Sequence, residues 1–135
     1  RLFDPPLHEF LPADKGGMRE LAESLSLPVA DVEARVAALT EYNPMLGMRG
    51  VRLGITVPEI YDMQARAIFQ ATVLASADGA PVVPEVMIPL VSAMREVELV
   101  KGRIDTIAAA VRAETGVNFA YRLGVMVETP RAALR

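Results

Sequence analysis

The sequence predicts an α/β fold, and three features carry that prediction. Two short apolar runs, VVPEVMIPLV at 82–91 and LGVMV at 123–127, read as strands. Longer stretches around them repeat apolar residues at helical spacing. The two kinds of segment alternate, which implies parallel pairing through right-handed crossovers. A β/α barrel and a doubly wound open sheet both satisfy that pattern.

Residues 1–3 read as the tail of a strand. DPPLHEFLP at 4–12 is punctuated by proline, which joins neither a ladder nor a helix interior, so a loop is expected. A short helix is expected over 18–25. A second covers 27–44, where Val32, Val36 and Leu39 recur at helical spacing and Asn43-Pro44 ends it. These pieces make a helical excursion over about 5–42.

NPMLGMRGVRLGIT at 43–56 interleaves Gly47, Gly50 and Gly54 with Arg49 and Arg52. It reads as a glycine-bent loop with one short strand around 51–53. Pro58 suits the first position of a helix. Ile60, Met63, Ala67, Ile68, Ala71 and Leu74 form its stripe to about residue 77, and DGAP at 78–81 ends it. In the next strand Val86, Met87 and Ile88 are consecutive, as expected of a strand buried on both faces. Ser92 is expected to cap the helix that follows. Val97, Val100, Ile104, Ile107, Ala108 and Val111 carry that helix to about Glu114, and Gly116 stops it. After the second strand, Thr129-Pro130 opens a last helix.

Composition narrows the function classes. Over 135 residues, 52% are hydrophobic and the formal charge is −3, which fits a soluble, densely cored domain. Nucleic-acid binding lacks a basic footprint. No apolar run could span a bilayer. With no cysteine and one histidine, His8, thiolate and histidine-rich metal sites are excluded. The lack of cysteine fits a reducing cytoplasm. The chain opens without Met and stops at Leu134-Arg135 inside the expected last helix, so both ends read as cut from a larger protein.

Three residues stand out as candidates. In either architecture the C-terminal ends of parallel strands form the site rim. Glu128 falls at such an end, where a carboxylate can hold a hard cation such as Mg2+ or accept backbone N–H groups near the new helix. Arg49 sits among glycines that let the backbone come close, and a guanidinium can grip a phosphate or carboxylate bidentately. The spacing is neither a Walker loop nor a dinucleotide fingerprint. Arg1 lies at another expected strand end. Arg52 reads as a structural ion-pair partner, Arg66 as a solvated or salt-bridged helix face, and His8 as no catalytic base. Met45, Met48, Met63, Met87 and Met126 read as packing residues.

RLFDPPLHEFLP, NPMLGMRGVRLGITVPEIYDMQARAIFQA and VPEVMIPLV…GVMVETPRAAL, in that order, resemble the phosphoenolpyruvate-binding domain of the pyruvate phosphate dikinases. Phosphoenolpyruvate synthase and enzyme I of the sugar phosphotransferase system share the NP-x-LG-x-R and ETP elements. The DPPLHEFLP stretch favours the dikinases. The resemblance implies a partial (β/α)8 barrel of the TIM type, with the helical excursion near its N-terminus, spanning residues 1–135. It also implies phosphoryl transfer between a phosphohistidine and pyruvate to form phosphoenolpyruvate. The family's substrate-phosphate arginines match Arg1, in R-x-x-D-P-P, and Arg49, in L-G-x-R-G. Its Mg2+-binding glutamate matches Glu128, in V-E-T-P. Met48 replaces the more usual histidine beside that arginine. The second carboxylate for Mg2+ and the proton-donating cysteine are expected beyond residue 135, and the phosphohistidine domain before residue 1. The expected partners are therefore phosphoenolpyruvate or pyruvate and a phosphohistidine domain of the same longer chain, in a homo-oligomer. No nucleic acid or membrane is expected. The segment alone is expected to be inactive, and a half-barrel would self-associate through its open edges. A phosphoenolpyruvate synthase, an enzyme I-like phosphotransferase and a non-catalytic anion-binding module are the alternatives.

Overall fold

The structure, a computed structural model, describes residues 1–40, 43, 45–77 and 79–135. It divides into two compact units, one formed by 1–4 and 49–135 and the other by 5–48. The expected helix stop at Asn43-Pro44 and the expected turn at 78–81 involve Pro44 and Asp78, which lie outside the described residues.

The unit of 5–48 is helical. A 3-10 turn, Leu7–Phe10, precedes α1 (Lys15–Leu25) and α2 (Val29–Leu39). The first helix begins three residues earlier than its apolar pattern suggests because Asp14 caps it. The Asp14 carboxylate accepts from the Gly16 and Gly17 N–H groups at 2.9 and 3.1 Å. Those bonds stabilise the anion and hold its pKa below the usual carboxylate value. Ser26, in the left-handed region at φ 54°, ends the helix. Leu21 and Leu25 of α1 and Val32, Val36 and Leu39 of α2 line a groove of about 410 Å3.

The other unit holds α3 (Gly50–Thr56), α4 (Pro58–Ala77), β1 (Glu85–Ile88), α5 (Met94–Thr115), β2 (Arg122–Val125) and α6 (Pro130–Leu134). Pro58 starts α4 without losing a helical bond, since the first N–H groups of a helix have no partner within it. At α5 the capping differs from expectation. Ser92 stands before the N-cap, Ala93, and the Glu96 carboxylate reaches back to accept from both backbone N–H groups at 2.7 and 2.9 Å. Gly116, at φ 69°, ends α5 in the left-handed conformation that glycine adopts without strain.

β1 and β2 pair in parallel, with Glu85 opposite Arg122 and Ile88 opposite Val125. β1 is clipped to four residues because Pro84 and Pro89 bracket it and proline donates nothing to a ladder. Their carbonyls still accept, from Arg122 N–H and Val51 N–H respectively. Residues 1–3 form no strand, though Leu2 N–H donates to Met87 O at 2.9 Å along the other edge of β1.

One core serves this unit. Val86 and Ile88 of the sheet pack with Tyr61, Ala65 and Phe69 of α4 and with Val100, Ile104, Ala108 and Val111 of α5. Phe69 stacks on Phe119 and lies tilted against Tyr121, with ring centroids 5.1 and 4.8 Å away. Burying such a ring contributes about 1.5–3 kcal/mol.

Three expectations require correction. The fold is not a partial (β/α)8 barrel: the described residues are mostly helical, and the two strands among them form an open sheet. Barrel closure needs each strand bonded along both edges. Among the described residues β2 has β1 as its one neighbour, and most of β2 is exposed. Nor is β1 buried on both faces, since Val86 and Ile88 point inward while Glu85 and Met87 are exposed. Finally, residues 50–56 of the segment read as a glycine loop with a strand at 51–53 form helix α3. Gly54 is tolerated there because the Tyr61 ring occupies the space a β-carbon would need, with ring atoms 2.3–2.8 Å from that position. Burial of Val51 and Leu53 offsets the weak helix propensity of glycine.

Candidate functional site

The C-terminal ends of the two strands meet the start of α3 and the first residues of the chain. Pro89 follows β1 and turns Leu90 into the left-handed region at φ 60°. A branched-chain residue holds that conformation at a cost of about 1–2 kcal/mol, so its surroundings must enforce it. Two bonds do so: Pro89 O accepts from Val51 N–H at 3.1 Å, and Leu90 N–H donates to Glu128 Oε1 at 2.7 Å. Glu128 lies three residues beyond β2 and is exposed. Its neighbour Thr129 donates its hydroxyl to Val91 O at 2.9 Å and accepts from Ala132 N–H at 3.2 Å, capping α6. The segments beyond the two strands are therefore laced to each other by side chains from the second.

On the other side of Leu90 stands Gly50, at φ 54°. A β-carbon there would lie 2.7 Å from Leu90 Cβ and 3.1 Å from Asp4 Oδ1. Gly50 N–H donates to Asp4 O at 3.2 Å. Arg49, just before α3, donates Nε–H to the same carbonyl at 3.3 Å and Nη2–H to Asp4 Oδ2 at 2.9 Å. Arg1 Nη1 lies 3.6 Å from that same Oδ2. The Arg1 side chain is 50% exposed, that of Arg49 22% and that of Asp4 8%. The buried carboxylate thus carries two guanidiniums that open progressively toward solvent.

Of the sequence candidates, Arg1 and Arg49 come together on Asp4, and Glu128 joins the same strand-end region through Leu90 and Gly50. Asp4 was missed. The one signal for it was its own place in R-x-x-D-P-P, where it read as part of a proline loop. Arg66 makes the helix-face ion pair expected of it, 2.7 Å from Glu114. That guanidinium holds the Glu114 carboxyl below its usual pKa. Tyr61, whose hydroxyl donates to Phe3 O at 3.0 Å, stays a neutral phenol well above its ordinary pKa, first through burial and then through the Asp4 charge.

Among the described residues no group of three or more His, Cys, Asp or Glu is gathered as if to hold a metal. At the strand ends Glu128 offers a hard, exposed oxygen donor. One carboxylate suffices for a Mg2+ ion that takes its other ligands from water, substrate or other protein segments, so the donor chemistry fits in part. No helix of the described residues is long and apolar enough to cross a membrane.

A family profile described as PEP-utilising enzyme, PEP-binding domain matches residues 1–135. The chain belongs to this family. Its relatives among the PEP-utilising enzymes are strongly similar over the whole chain. Pyruvate, phosphate dikinase of Rhizobium meliloti (strain 1021) is 55% identical over 136 residues, covering 100% of this chain and 15% of that protein. The enzyme of the same name from Clostridium symbiosum is 45% identical over 135 residues, covering 99% and 15%. A chloroplastic one from Mesembryanthemum crystallinum is 48% identical over 138 residues, covering 99% and 14%. The chain therefore spans about 15% of the length of these relatives.

Proposed function

We propose that this chain is the part of a pyruvate, phosphate dikinase that binds phosphoenolpyruvate and pyruvate. In the intact enzyme ATP, phosphate and pyruvate would exchange with AMP, diphosphate and phosphoenolpyruvate, and this segment would serve the step between a phosphohistidine and pyruvate. The reading is supported most by the meeting of Arg1 and Arg49 on one carboxylate oxygen at the C-terminal strand ends. Two guanidiniums side by side suit a dianionic phosphoryl group, whose transfer needs positioning and charge neutralisation more than covalent help.

In this reading Arg49, held by Asp4 through two hydrogen bonds, orients the phosphoryl group. Arg1, more open to solvent, closes on it from the other side. Glu128 would hold a Mg2+ ion, which when bound supplies positive charge beside the pyruvate carboxylate and the enolate oxygen. Leu90 N–H keeps the Glu128 carboxylate aimed at the strand-end rim. The 135 residues alone turn over no substrate in this reading, because the phosphohistidine, the second metal carboxylate and the proton donor belong to other segments.

The test is an NMR titration of the protein with phosphoenolpyruvate, with and without Mg2+, alongside Arg49→Ala and Glu128→Gln. Saturable shifts around Arg49 and Glu128 are expected, the first set lost in Arg49→Ala and the Mg2+-dependent part lost in Glu128→Gln. Unchanged spectra at millimolar ligand would count against the proposal.

A further inference from the structure

Asp4 is a buried carboxylate with an anomaly. Its Oδ2 is shared by Arg49 and Arg1, while Oδ1 is buried with no hydrogen-bond partner among the described residues. Leaving a buried carboxylate oxygen unsatisfied is costly, so its retention calls for a reason beyond stability.

The short segment carrying it is fastened at every residue. Leu2 N–H bonds β1, and Phe3 N–H donates to Gln64 Oε1 at 2.8 Å while Phe3 O accepts from Tyr61. Asp4 O accepts from both Gly50 N–H and Arg49 Nε–H. Gly50 has no side chain to push the carboxylate aside, since a β-carbon would crowd Oδ1 at 3.1 Å. The carboxylate therefore has a fixed place, and the two guanidiniums take theirs from it.

We propose that Asp4 is a positioning residue, which holds Arg49 and Arg1 side by side so that both can engage one anionic group of the substrate. The inference rests on the phosphoenolpyruvate-binding reading above and adds to it a residue that touches the arginines rather than the ligand. It makes a prediction of unusual sign. By charge alone, removing an anion beside two cations should tighten binding of an anion. If Asp4 acts by positioning, its removal weakens binding, because each arginine then pays rotamer entropy to find its place.

The experiment measures the Kd of phosphoenolpyruvate by NMR titration for the protein and for Asp4→Asn, Asp4→Ala, Arg49→Ala and the double variant Asp4→Ala/Arg49→Ala. The 15N–1H resonances of the Arg49 Nη2 group, which bonds the Asp4 carboxylate, are followed at low temperature in each variant that retains Arg49. Asp4→Ala is expected to raise Kd roughly 10- to 100-fold, the equivalent of one charge-assisted hydrogen bond. Asp4→Asn, which keeps the shape and an acceptor oxygen, should recover part of that loss. The double variant should lose much less than the product of the single losses, as groups acting through one another do. The Arg49 Nη2 signals, held by the carboxylate in the parent, should broaden or shift in Asp4→Ala. Unchanged or tighter binding in Asp4→Ala, or strictly multiplicative losses, would overturn the proposal. If Arg49→Ala itself leaves Kd unchanged, the phosphoenolpyruvate reading fails instead. The Nη2 signals then still decide about Asp4, since unaltered resonances in Asp4→Ala refute positioning without any ligand.

Discussion

Replacing Gly50 by alanine probes the joint on which the site is assembled. Gly50 touches Asp4, Leu90 and, through its helix, Pro89. Its φ of 54° places an alanine in the left-handed region at a cost of about 1 kcal/mol. The new methyl would also lie 2.7 Å from Leu90 Cβ, well inside van der Waals contact. Leu90 has little room to retreat, because Glu128 holds its N–H and Val51 holds the preceding carbonyl. Forced overpacking of this kind costs about 1–3 kcal/mol, so the variant should lose about 2–4 kcal/mol in all. Urea denaturation at neutral pH measures it, as a lower midpoint at unchanged slope. Gly102→Ala is the internal contrast. A β-carbon at Gly102, in the middle of α5, meets nothing within 4 Å. That substitution should stabilise by about 0.5–1 kcal/mol, the helix-propensity gain of alanine over glycine. A Gly50→Ala loss below about 0.5 kcal/mol would refute the close-packed joint.

Three further outcomes are expected. Gly54→Ala should destabilise by about 1–3 kcal/mol, since a methyl would run into the Tyr61 ring, and a changed near-ultraviolet tyrosine signal would report the displaced ring. Tyr121, pushed up to about 12 by burial and by its hydrogen bond to Asp105, stays neutral in the folded chain where an unfolded tyrosine, near 10, ionises. The folded state then binds more protons, so its stability falls as pH rises from about 10 to 12; Tyr121→Phe should flatten that alkaline limb in denaturation curves. Asp14 has the opposite sign: its lowered pKa means that the cap's contribution is present at neutral pH and is lost as pH falls below about 4. The Gly16 and Gly17 amide shifts should report a midpoint below 3.8, and in Asp14→Asn, which caps without charge, they should not titrate.

Much of the local structure was legible. α5 announces itself through a long apolar stripe, whereas the stripe read for α4 marked a helix but not its core face: Met63 and Leu74 are exposed, and Tyr61, Ala65, Phe69 and Thr72 are buried. Pro58 and Gly116 mark a start and an end by chemistry that acts within one turn. The strands and their parallel pairing follow from short apolar runs alternating with those helices. Arg1 and Glu128 were picked out by residue type and an expected strand-end position, and Arg49 by its glycine neighbours. What the pattern could not deliver was α3, because Gly50 and Gly54 speak against a helix until Tyr61, seven residues beyond Gly54, supplies the ring that needs a glycine to pack on. Nor could it deliver Asp4, whose partner Arg49 lies 45 residues away.

The barrel expectation failed for a related reason. Alternation fixes the hand and direction of a crossover, and strand count and closure depend on which edges find partners. Here β1 and β2 find each other, and Leu2 adds a single bond to β1. By itself, then, the sequence determined the presence of every helix but α3, the start at Pro58 and the stop at Gly116, the two strands and the chemical types at the strand ends, since each follows from interactions a few residues apart. Tertiary structure alone decided the open sheet, the helical fate of the glycine segment and the gathering of two arginines on one buried carboxylate. Those rest on long-range contacts, and a local pattern carries no record of its distant partners.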